Sequence, residues 1–275
     1  MPVTIPFDLD RLRDPALLPI GEKLRVGERL SIADGVTLFR SPDLLGVGAM
    51  ADAANRARHG DRVTFASNQH INPTNVCVLR KTCVFCGYAR LPKEDGAYRY
   101  SLEQVLAESD RADGSITREF HIVGGLDMEA GLEYYQTMFR ALKARHPQVH
   151  IKALTAVEIA HIARIEKMSR KDVLIALREA GLDTLPGGGA ETFSAAVRDV
   201  IADKKLGGAE YIEVHRTAHQ LGIRSNCTML YGHVESLEDR MQHLNMLREL
   251  QDETGGFLAY IPLAYHPDDN ELGKT

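Results

Sequence analysis

Two periodicities of hydrophobic and polar residues divide the chain. Up to about Gly60 the positions are mixed and look helical. Short amphipathic pieces run from Leu30 to Met50, and Asp43-Leu44-Leu45 follows a Ser41-Pro42 break. Residues 1–62 therefore read as an N-terminal helical cap. From about Val63 short apolar runs alternate with helical spacing. Strand candidates are His70–Asn75, Glu119–Val123, Val149–Leu154, Leu182–Leu185, Ile223–Met229 and Phe257–Ile261. Helices fill the gaps and carry start signals. Ser101 with Gln104 forms a Ser-x-x-Gln capping box, and Ser169 with Asp172 and Ser236 with Asp239 resemble it. Gly181 stands where a helix-terminating glycine belongs. Leu132, Tyr135, Phe139 and Leu142 fall on one helical face.

Six β-then-α units in succession predict a parallel sheet, because parallel neighbours need a crossover helix. The sheet is either open and doubly wound or curved. Polar or glycine-rich residues follow nearly every strand: Pro73-Thr74-Asn75, Gly124-Gly125, Thr155, Pro186 to Gly189, Tyr231-Gly232-His233 and His266-Pro267. Chemistry gathered at strand C-termini is the pattern of a barrel. The expected fold is α/β: a partial TIM-type βα-barrel over residues 63–275, behind the helical cap.

Composition narrows the class. With 275 residues, 44% of them hydrophobic, the chain can bury a core. A net charge of −5 and the lack of a basic block argue against nucleic acid. No long apolar run predicts a membrane span, and the acidic, proline-broken N-terminus is unlike a signal peptide. A cytoplasmic protein is expected. In that reducing setting, the grouping of Cys77, Cys83 and Cys86 points to metal or redox chemistry.

The triad has C-x5-C-x2-C spacing just after the first strand. Four cysteines saturate a [4Fe–4S] cluster or a zinc ion, whereas three leave one iron open to chelate a substrate. A zinc site completed by histidine and a set of buried thiols remain the other readings, although Phe85 beside the last cysteine favours an iron–sulfur loop. Gly124-Gly125 permits close backbone approach or marks a tight turn. Gly187, Gly188 and Gly189 open a helix that favours an anion, or form a plain turn. Thr228, Tyr231 and His233 reach the end of the fifth strand. Cys227 reads as a core residue. His215 and His219 have zinc-pair spacing, but Arg216 stands where a zincin needs glutamate, so no zinc site is expected there.

The cysteine loop resembles that of radical S-adenosylmethionine (SAM) enzymes, with two residues more than their usual C-x3-C-x2-C. The blocks INPTNVC, ALTAVEI, LPGGGAETF, SNCTMLYGH, LQDETGGF and IPLAYHP resemble the aminodeoxyfutalosine synthase family of menaquinone biosynthesis. Related families are the cyclic dehypoxanthine futalosine synthases and the tyrosine-using subunit of FO synthase. The resemblance implies a [4Fe–4S] cluster on Cys77, Cys83 and Cys86 and SAM held by Gly124, Gly125, Tyr88, Glu158 and Gly187 to Gly189. It further implies addition of the 5′-deoxyadenosyl radical to 3-[(1-carboxyvinyl)oxy]benzoate, with His233, Glu158 and Tyr231 at the reaction site. An electron donor such as flavodoxin or ferredoxin is the implied partner. Gly125→Val is expected to weaken SAM binding and spare the cluster. Against the family, the chain is expected to stop short of the elements that close the barrel.

Overall fold

A computed structural model describes residues 4–274. Two compact units emerge, Met1–Phe65 with Ser236–Asn245, and Ala66–Glu235 with Met246–Thr275. The first thus takes in ten residues from far along the chain. In it lie α1 (Leu18–Val26), α2 (Ile32–Arg40) and α3 (Leu44–His59). Ser31 caps α2 through a reciprocal box with Asp34, and Asp43 caps α3 by accepting the Gly46 N–H at 2.9 Å. Leu17, Ile20 and Met50 form its small core, which agrees with the mixed helical pattern there.

The second unit holds six parallel strands in sequential order: β1 (Asn68–Ile71), β2 (Glu119–Ile122), β3 (His150–Ala153), β4 (Thr184–Leu185), β5 (Arg224–Tyr231) and β6 (Phe257–Ala264). They form a half-barrel. Its helices are α4 (Leu102–Ser109), α5 (Leu132–Arg145), α6 (Ala156–Glu166), α7 (Arg170–Ala180), α8 (Ala195–Ile201) and α9 (Gly208–Gln220). Helix α10 (Leu237–Thr254) divides its residues between the two units. Ser101, Ser169 and Ser236 each accept the backbone N–H three residues on, and Gly181 ends α7 at φ 119°.

Alternation sorts the strand residues. Phe120, Ile122, Ile151 and Ala153 are buried in one core with Tyr135, Met138, Phe139 and Leu142 of α5, Ile159 of α6 and Leu174 of α7. Each such large side chain contributes roughly 1.5–3 kcal/mol on burial. Strand β1 lies earlier than expected. Its ladder stops at Ile71 because Pro73 has no N–H, and the Asn72 side chain instead donates to the Val123 carbonyl at 2.8 Å.

Candidate functional site

The chain leaving β1 is bolted in place before its first cysteine. Cys77 N–H donates to the Arg90 carbonyl at 2.9 Å, and Val78 N–H to the Leu126 carbonyl at 3.1 Å. The five residues between Cys77 and Cys83 are wound into successive tight turns, with Arg80 N–H on the Cys77 carbonyl and Cys83 N–H on that of Leu79. The extra length is taken up locally. A further turn, Cys86 N–H to the Cys83 carbonyl at 3.1 Å, brings the last thiol round.

The three thiols of the triad line one cavity of about 210 Å³, together with Phe85, Tyr88, Val123, Gly124, Gly125, Thr155, Glu158, Gly189 and Lys205. Cys227 is elsewhere, in the main core with its thiol toward the Ala259 carbonyl. Among the described residues no three His, Cys, Asp or Glu side chains converge as ligands of a single ion do. Three thiols around a volume, without a fourth cysteine, suit a polynuclear iron–sulfur cluster with one iron left open. Burial pushes the Cys83 thiol up to about 11, and the nearby Lys205 charge opposes that.

The glycine pair after β2 is where backbones meet. A Cβ on Gly125 would lie 2.1 Å from the Val76 carbonyl oxygen and 3.0 Å from Cys77 Cβ. A side chain there presses on the backbone next to the first cysteine, so the space that Gly125 leaves serves the cysteine loop as well as the expected SAM site. Glu158 is buried and fully used: its carboxylate accepts from Gly124 N–H at 2.9 Å, Thr155 N–H at 2.7 Å and the Thr155 hydroxyl at 2.8 Å. Burial pushes it up to about 7 against those three donors. Tyr88 is part-exposed on the cavity wall, its hydroxyl bonded to that of Tyr98.

Two expected sites differ in the structure. The triple glycine does not open a helix, since α8 begins only at Ala195. Gly187 instead packs on the Cys227 backbone, which leaves no room for a Cβ, and its carbonyl accepts from the Tyr211 and Thr228 hydroxyls. Gly188 packs beside Thr155, and Gly189, at φ 88°, is the one of the three on the cavity. His233 is the other correction. Its side chain is fully buried, Nε2 donates to the Leu230 carbonyl at 3.1 Å, and Nδ1 accepts from Val234 N–H at 2.8 Å. The ring holds the end of β5 and has no donor to offer. Tyr231 ends β5, half-buried, and its carbonyl accepts from Tyr265 N–H at 2.8 Å. Neither residue lines the cysteine cavity.

One feature went unseen in the sequence. Lys205, largely buried, meets buried Glu191 at 2.6 Å, with its ammonium 5.2 Å from the Phe85 ring centre. The pairing raises the lysine, and it is the cavity's cation. Arg198, also buried, donates to the Ala190 and Thr192 carbonyls and fixes that turn.

Known proteins resemble this arrangement. The profile of the Radical SAM superfamily matches residues 71–247. Aminodeoxyfutalosine synthase of Thermus thermophilus is 43% identical over 96% of this chain and 70% of its own length. The protein of that name from Streptomyces coelicolor is 43% identical over 92% and 66%. Cyclic dehypoxanthine futalosine synthase of Streptomyces coelicolor is 37% identical over 94% and 66%. The chain thus spans about two thirds of these relatives' length. Among solved structures, methylornithine synthase superposes with TM-score 0.73 at 18% identity, covering 93% of this chain and 71% of that one. The FeFe-hydrogenase maturase of Carboxydothermus hydrogenoformans gives 0.70 at 19%, covering 92% and 57%.

Proposed function

The chain belongs to the radical SAM superfamily, and from its likeness to aminodeoxyfutalosine synthases we propose that it adds the 5′-deoxyadenosyl group to the enol-ether double bond of 3-[(1-carboxyvinyl)oxy]benzoate, with rearrangement and loss of the vinyl carboxyl group as carbon dioxide or bicarbonate, giving 6-amino-6-deoxyfutalosine and methionine. The observation that carries the reading is the cavity rimmed by Cys77, Cys83 and Cys86 and closed by Gly124, Gly125 and Glu158. A [4Fe–4S] cluster on those three thiols, when bound, supplies the electron that cleaves SAM and frees the adenosyl radical.

The protein's own residues bind, orient and shield. Gly124 and Gly125 leave the wall bare of side chains where the methionine end fits. Glu158 is a positioning residue: it fastens the Gly124 N–H to the start of α6 and so sets the height of that wall. Lys205 offers the cavity a positive charge suited to a carboxylate, and Glu191 keeps that lysine in place. Leu79, Phe85, Leu126 and Val157 line the rest with apolar surface that excludes water. Tyr88 closes the wall beside the last cysteine.

The same reading brings a low-potential electron donor such as flavodoxin or ferredoxin to a cytoplasmic enzyme. Among the described residues no helix is long and apolar enough to cross a membrane. The test is the product. Anaerobically reconstituted protein, given SAM, a reductant and the enol ether, is expected to form aminodeoxyfutalosine, identified by mass. Turnover of dehypoxanthine futalosine or tyrosine in its place would move the chain to a sister family and leave the radical chemistry standing.

A further inference from the structure

A closed barrel fills its lumen with layers of bulky apolar side chains. This one does not. Phe120 and Ile122 of β2 point to the helix-side core, so Glu119 and His121 point to the lumen. The register sets His70 of β1 on one side of His121 and Lys152 of β3 on the other. The two imidazoles stack with centroids 4.6 Å apart and planes 14° from parallel. Lys152 is held by Glu119 at 2.7 Å, with both side chains largely buried.

We propose that His121 and His70, with Lys152 beside them, form an anion site in the lumen that receives the ring carboxylate of an aromatic substrate. The inference rests on the function proposed above, and three observations support it. First, neither stacked ring makes a hydrogen bond to any described residue, and with His70 exposed and His121 half-buried their ring nitrogens stay open to a ligand. Second, Lys152 is ion-paired with Glu119 at 2.7 Å and makes no hydrogen bond to any other described residue, so its ammonium keeps protons to offer. Third, the depth fits. Val123, just past the end of β2, lines the cysteine cavity, and His121 lies two residues back along the chain, about 7 Å. That is roughly the span from an enol ether across a benzene ring to a meta carboxylate. The groups facing His121 are His70, Glu119 and Lys152. Burial first, then the His70 and Lys152 charges, lowers His121 to about 4 despite Glu119, so at neutral pH it is a neutral N–H donor.

The test compares 3-[(1-carboxyvinyl)oxy]benzoate with 2-phenoxyacrylate, the same ether without the ring carboxylate, on the reconstituted enzyme. The unmutated protein is expected to prefer the benzoate by one to two decades in kcat/KM. His121→Phe keeps the stack and removes the donors, so this preference should collapse by at least tenfold, while His121→Gln restores part of it. An unchanged preference, or equal losses on both ethers, overturns the site. Equilibrium dialysis of 3-hydroxybenzoate against phenol on the cluster-loaded protein gives a readout free of turnover. There, His121→Phe should cost about tenfold in the carboxylate-specific part of the affinity, and no loss overturns the proposal. Where the unmutated protein adenosylates neither ether, the functional reading falls and the dialysis alone decides the site. If His121→Phe fails to load iron, His70→Phe is read in the same two ways.

Discussion

At Gly125 a single missing carbon decides whether the first cysteine can be where it is. The residue has ordinary backbone angles, so the demand is for space and not for conformation. Its N–H donates to the Thr74 carbonyl at 2.9 Å, which clamps it against the chain entering the cysteine loop. An added methyl at 2.1 Å from the Val76 oxygen has backbone as its neighbour, which a rotamer change cannot move. Gly125→Ala is therefore expected to lower iron loading after anaerobic reconstitution toward the level of Cys77→Ala. Cys227→Ala should load fully, because that thiol is in the core. Iron content and the cluster absorption band check both, and full loading of Gly125→Ala would refute the steric account.

Helix α6 shows how an ordinary device comes to serve a site. Thr155 accepts the Glu158 N–H at 3.3 Å, and Glu158 returns the favour to Thr155 N–H, a reciprocal cap of the kind that also starts α2 and α4. Here the glutamate has a second duty, since its other oxygen takes the Gly124 N–H from the neighbouring unit of the barrel. Thr155→Ala is expected to cost about 1 kcal/mol, as other N-cap losses do. Thr155→Ser should recover most of it. Urea unfolding of the two variants measures the difference, and equal stability of alanine and threonine proteins would show that the cap is idle.

Across the half-barrel, buried histidines set the response to acid. Burial lowers His215 to about 3 and His219 and His121 to about 4, all below the ordinary value near 6.5. His215 and His219 share the Ser225 hydroxyl at 2.8 and 2.9 Å, a neutral network under β5. Between pH 6.5 and about 4 the unfolded chain binds protons that these folded rings refuse, so their stabilisation is complete above pH 6.5 and is lost on acidification. The fully buried His215 contributes about 1.4 kcal/mol per pH unit, and the two partly open rings contribute less through solvent screening. Glu158, raised to about 7, works the other way, because it takes up a proton more readily when folded. Three rings against one carboxyl leave a net loss. The urea midpoint should fall from pH 7 to pH 5, and His215→Phe should flatten that slope. A midpoint that rises with acid contradicts the account.

The sequence by itself determined the order of strands, their parallel pairing, most helix starts and the three thiols of the site. Those features are local. A period, a cap or a cysteine spacing is set by residues a few positions apart, and the chain cannot meet them in another way. Strand limits were less legible: Pro73 and the side chain of Asn72 ended β1 early, through a contact with Val123. Tertiary structure alone decided the rest. Lys205 and Glu191 are single charges 14 positions apart that mean nothing until the turn after β4 folds back over the cysteine loop. His233 looked like a donor at a strand end, but only the path of the chain around it shows both nitrogens already spent. The triple glycine looked like a helix start. Its first member is instead the space that lets β5 pass, because strands packed this closely leave no volume for a side chain at that point.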